Sequence, residues 1–162
     1  MGEASGIANL FFFGLAQASG PNGAAAGMRT VCVWLRDAAE MEVVEFLSLS
    51  YRRIGPEQWN YEREDGETVL FIRPYIEKDP DEVRLLQEAL GGAPTVGFAI
   101  DVSGRHDGRS EVTEVVVSLL DRWGGVANDD FSDHFWNRHE ISSDQFVGGY
   151  KFFDISRFRS RL

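Results

Sequence analysis

Apolar residues first fall into a regular pattern at Met28 to Leu35, a β-branched run around Thr30-Val31-Cys32-Val33-Trp34-Leu35 that predicts a buried strand. Asp37 then offers a helix N-cap, with Glu40 at capping-box spacing. Met41, Val44 and Leu47 recur at helical spacing with Val43 and Phe46 beside them, so a helix is expected from about Ala38 to Tyr51, ended by Gly55-Pro56. Gln58 to Glu64 alternates with Trp59 and Tyr61 on one face, and Asp65-Gly66 separates it from Glu67 to Ile72. That pattern predicts a β-hairpin. Asp79-Pro80-Asp81-Glu82 places a proline and two carboxylates at a helix start, and Val83, Leu86 and Leu90 supply its apolar stripe up to Gly91-Gly92. Pro94 to Val102 predicts a further strand. Ser110 is placed to cap a helix whose Val112, Val115, Val116, Leu119, Leu120 and Trp123 form a wide apolar face, stopped by Gly124-Gly125. Val126-Ala127 predicts a short last strand. Phe146 to Phe158, mixing aromatic residues, Gly148-Gly149 and bases, is expected to pack loosely across the body.

The succession β-α-β-β-α-β-α-β predicts an α+β domain, mainly an antiparallel sheet with helices on one face. Its first six elements match the split βαβ, ferredoxin-like arrangement, followed by a C-terminal extension. The 162 residues, 43% of them hydrophobic and including 12 Phe, suffice for one sizeable core, so residues 28–162 are expected to form a single domain. Residues 1–27 read as a poorly ordered extension, with patterned sequence beginning at Met28. Leu10 to Leu15 followed by Ala16-Gln17-Ala18-Ser19 has some character of a secretory signal, but no Lys or Arg precedes it and Glu3 does. The apolar run is also well short of the ~20 residues that span a bilayer.

Charge changes the picture. The formal net charge is -10, of which residues 1–27 contribute -1 and residues 151–162 contribute +3, leaving -12 on residues 28–150. A body of that sign repels phosphates, which excludes a DNA- or RNA-binding body and favours a basic protein partner reached by electrostatic steering. The short basic tail Arg157-Phe158-Arg159-Ser160-Arg161 fits an intramolecular or subunit contact. Cys32 is the only cysteine, so no internal disulfide and no Cys-pair metal site can form. A reducing cytoplasm and a buried, inert thiol fit it.

Candidate chemistry gathers in two places. Asn128-Asp129-Asp130-Phe131-Ser132-Asp133-His134-Phe135-Trp136, with His139 and Glu140 behind, admits three readings: a divalent-cation site, helix capping by Asp129 and Asp130 beside buried rings, or an exposed acidic-aromatic patch. The spacing matches neither an EF-hand loop nor a His-Glu-x-x-His zinc helix, so no metal is assigned. The patch suits the charge best and makes Asp129, Asp130, Asp133, His134 and Trp136 the candidate partner-binding residues. Asp101, Ser103, His106 and Asp107 form the second group, at a strand end and its turn. They lack the Gly-x-Ser-x-Gly elbow of a hydrolase, and Gly104 to Gly108 lacks the Lys-Ser/Thr of a phosphate loop. No catalytic residue and no cofactor is therefore assigned.

Gly97-Phe98-Ala99-Ile100-Asp101-Val102, Ser118-Leu119-Leu120-Asp121-Arg122-Trp123 and Gly125-Val126-Ala127-Asn128-Asp129-Asp130-Phe131-Ser132-Asp133 resemble small bacterial immunity-type proteins encoded beside secreted antibacterial toxins. The resemblance covers about a quarter of the chain. It implies a non-enzymatic cytoplasmic protein that binds a cognate toxin and blocks its active site; it transfers no residue roles. The competing expectations are a small-molecule-binding module on an open sheet face, and an enzyme: a metal-dependent hydrolase using the Asp/His cluster near residues 129–139, or a site with His106 or His134 and Asp101 as general base, with or without a metal.

Overall fold

The computed structural model describes residues 29–156. The extension at 1–27, Met28 and the basic tail from Arg157 onward lie outside them. In chain order the elements are β1 (Arg29–Leu35), α1 (Glu40–Ser50), β2 (Arg52–Gly55), β3 (Gln58–Glu62), β4 (Thr68–Pro74), α2 (Pro80–Leu90), β5 (Val96–Val102), α3 (Arg109–Trp123), β6 (Gly125–Asp129) and α4 (Arg138–Ser142). The α+β class holds: six strands form one antiparallel sheet in the order β2-β3-β4-β5-β1-β6.

That order departs from the ferredoxin-like expectation. β4 pairs with β5 rather than with β1, Ile72 opposite Ile100, so α2 joins two neighbouring antiparallel strands. A split βαβ unit lies further along the chain: β5 and β6 both run antiparallel to β1 on either side of it, joined by α3. Cover also comes to both faces, because β1 is apolar on both. Val31, Val33 and Leu35, with Phe98, Ile100 and Val102 of β5, pack beneath Val43 and Leu47 of α1 and the Val112 to Leu120 stripe of α3. Trp34 and Val126 point the other way and meet Leu86 and Leu90 of α2.

Local chemistry explains several boundaries. The Asp79 side chain accepts the Asp81 and Glu82 N–H groups, and Gly91, at φ 76°, closes α2 in the left-handed conformation. Asp37 does not cap α1: the backbone N–H groups of Arg36 and Asp37 donate to the carbonyls of Gly124 and Trp123, which holds the chain extended until Ala39. Ser110 likewise sits inside α3, whose N-cap is Gly108. Gly55-Pro56 turns β2 into β3 rather than ending a helix. The C-terminal segment is not loosely packed, for Phe152 and Phe153 are buried in the main core beside Trp136. No helix among the described residues is long and apolar enough to cross a membrane.

Candidate functional site

The strand period carries Ala127 and Asp129 to the face covered by α3, and leaves Asp130 at the end of the row that holds Thr30 and Asp101 on the other face. Asp129 is 7% exposed. One of its carboxylate oxygens accepts the N–H groups of Phe131 (3.0 Å) and Ser132 (3.2 Å), an Asx turn that reverses the chain. The other accepts the N–H of Phe153 at 2.6 Å and ties the C-terminal segment to the strand end. Burial pushes the Asp129 carboxyl above its usual range, against the pull of those three donors.

Asp130 is exposed, yet its carboxylate turns back to accept the Thr30 N–H at 2.7 Å. Partial desolvation, and then the charge of Asp101, raise its carboxyl as well. Asp133 is exposed. His134 Nε2 meets Glu140 Oε2 at 2.8 Å, while Glu140 forms a capping box with Asn137 at the start of α4. The His134 ring stands edge-on to Trp136 with centroids 4.6 Å apart. Trp136 itself is 0% exposed, its backbone bridged to Ala127, which covers the free edge of β6.

Together Asp129, Asp130, Phe131, Ser132, Asp133 and His134 line a cleft of about 710 Å³, closed on its far side by Val147, Gly148 and Tyr150. The structure thus brings four of the five predicted residues to one wall and places the fifth, Trp136, beneath it as core. Val147, Gly148, Tyr150 and Thr30 were not predicted: they arrive from distant segments, and no local spacing announces them. Capping of a helix by Asp129 and Asp130 is not observed either, since α4 begins eight residues after Asp130, under Asn137.

The second candidate group does not converge. Asp101 accepts from the Thr30 hydroxyl (2.6 Å) and the Arg73 guanidinium (3.2 Å), with no bond to His106. His106 donates from Nε2 to Glu67 at 2.7 Å, which leaves Nδ1 to accept from Arg63 at 3.2 Å, so both ring nitrogens are occupied. Asp107 caps the Arg109 N–H and the Ser103 hydroxyl accepts the Arg105 N–H, so the three do not form a triad. The buried Arg29 organises this turn through the carbonyls of Ser103, His106 and Asp107. The Cys32 thiol is pushed up to about 12 by burial and then by the Asp130 charge, which keeps it protonated and unreactive. Among the described residues, no three His, Cys, Asp or Glu side chains are grouped to hold a metal ion.

No family model, curated protein or solved structure matches the chain.

Proposed function

We propose that this chain is a toxin-neutralising, immunity-type protein that acts in the cytoplasm by binding a basic cognate protein through the cleft beside β6. One observation carries the reading: Asp129, Asp130 and Asp133 line a single cleft, and among the described residues none of them pairs with Lys or Arg. Elsewhere carboxylates are neutralised locally, as in Arg63–Glu111 (2.7 Å) and Lys151–Asp144 (2.8 Å). The Asp130 carboxyl is held at raised pKa first by desolvation, a cost that a partner's guanidinium offsets on entry. In this arrangement Asp130, Asp133 and His134 touch the partner. Asp129 and Trp136 fix the loop from below.

The test begins with the full chain as bait in an extract of its own organism at about 50 mM salt, where steering is strong. The captured basic protein, purified, is titrated against wild type and Asp130→Asn/Asp133→Asn. The expected result is at least about tenfold weaker binding by the double variant, since each lost charged contact contributes about 1.5–3 kcal/mol. Binding by wild type should also weaken as pH falls toward 4, because Asp130 takes up its proton above the usual aspartate value of 3.8 and an uncharged carboxyl no longer attracts the cation. Equal affinities for the two proteins would sink the proposal.

A further inference from the structure

Helix α1 is apolar around most of its circumference, but the described residues cover only one side of it. Val43 and Leu47 are buried, and Val44 and Phe46 pack partly against the same core. Met41 and Leu49 stand 84% and 82% exposed, more than any other large apolar side chain among the described residues. Positions 41, 45 and 49 recur every four residues, so Met41, Glu45 and Leu49 form one outward stripe about 12 Å long with Glu42 beside it. A helix that is apolar all round normally has both sides covered. Residues 37–51 carry four carboxylates and no Lys or Arg. The neighbouring Arg122 is occupied on the flank of the helix, 4.4 Å above the Phe46 ring.

We propose that the outer face of α1 is a second docking surface, and that its occupant is a cationic amphipathic helix of a partner protein. Apolar side chains of that helix would seat against Met41 and Leu49 while its Lys or Arg residues meet Glu42 and Glu45. Charge argues against a second copy of this chain as the occupant. A twofold contact would set Glu42 and Glu45 of one copy against those of the other with no base between them, and such juxtapositions are repulsive. This surface shares no residue with the cleft beside β6, so the two readings stand or fall separately.

The test is amide-resolved NMR of the full chain titrated with a Leu/Lys peptide of about 18 residues at helical spacing, long enough to fold on a surface. A peptide of the same composition, reordered to destroy its apolar stripe, serves as control. The expected result is saturable shifts along residues 41–50 with the amphipathic peptide only. Met41→Ser/Leu49→Ser should weaken binding at least about tenfold with an unchanged fold by circular dichroism, and Asp130→Asn/Asp133→Asn should leave it within about twofold. Equal binding of the reordered peptide, shifts centred on residues 129–134, or an unaffected Met41→Ser/Leu49→Ser variant would each overturn the proposal. So would concentration-dependent dimerisation of the wild type that this double variant abolishes, since the occupant would then be a second copy.

Discussion

A single carboxylate does most to hold the cleft in shape. Asp129 satisfies three backbone N–H groups from two segments, including that of Phe153, whose backbone sits at φ 50° in the left-handed region that bulky residues avoid at a cost of about 1–2 kcal/mol. Asp129→Ala leaves all three donors without an acceptor and should cost about 3 kcal/mol in urea unfolding, whereas Asp129→Asn keeps one carbonyl oxygen and should cost about 1 kcal/mol. A loss below about 1 kcal/mol for the alanine variant would show that the anchor is dispensable. Ionisation of this group opposes folding: its raised pKa means that stability falls as pH climbs from 3.8 through the raised value, so the three donors reduce the cost of burying the charge without cancelling it. In the sequence, Asp129 and Trp136 read as parts of one exposed patch with Asp130 and Asp133. The strand period decides otherwise, because Asp129 continues the inward row of Ala127, and Trp136 is drawn under the loop by its bridge to the same residue. That inward row was legible only once β6 was known to run five residues rather than two.

Elements with their own punctuation were legible in the chain. α2 has its Asp79 cap and Gly91 stop where the sequence places them, and the β3–β4 hairpin turns around Gly66 at φ 87°. Elements defined by distant partners were not. β2 has four residues and no apolar alternation, and exists because β3 pairs with it; α4 has five residues and is secured by the Asn137–Glu140 capping box. Strand order was equally hidden, since alternation in β4 and β5 does not say which strand lies beside β1. What fixes β6 against β1 is close approach. A Cβ on Gly125 would strike the Trp34 carbonyl, and its φ of 139° suits only glycine. Gly125→Ala should therefore cost at least about 3 kcal/mol, while Gly91→Ala, with open space around it, should cost about 1–2 kcal/mol for its left-handed φ alone. Thermal unfolding of the pair checks the contrast, and similar losses would mean that the β1–β6 contact adjusts freely.

At the scale of the whole molecule, the negative charge is organised but not confined to one side. The sector around α3 and α4 is locally neutralised by Arg63–Glu111, Arg109–Asp144, Lys151–Asp144 and Arg138–Asp121. Three of the chain's acidic runs are residues 37–45 leading into α1, residues 77–82 at the start of α2, and residues 129–133 at the cleft, with Lys78 as their only base. α1 and α2 lie on opposite faces of the sheet, so these runs repel one another across the fold. Exposed ion pairs contribute only about 0–1 kcal/mol each, and salt weakens them as it screens that repulsion. With a net charge of -10 the repulsion should win. Raising NaCl from about 0.02 M to about 0.5 M shortens the Debye length from tens of ångströms to a few and should stabilise the free protein by on the order of 1 kcal/mol. Sulfate is unsuitable for this measurement, because its exclusion from protein surfaces stabilises any fold. The same titration should weaken binding of a basic partner, so the two curves must run in opposite directions. A free protein that loses stability with NaCl would mean that its ion pairs outweigh the three acidic runs, and a salt-sensitive complex could then reflect unfolding rather than screened attraction.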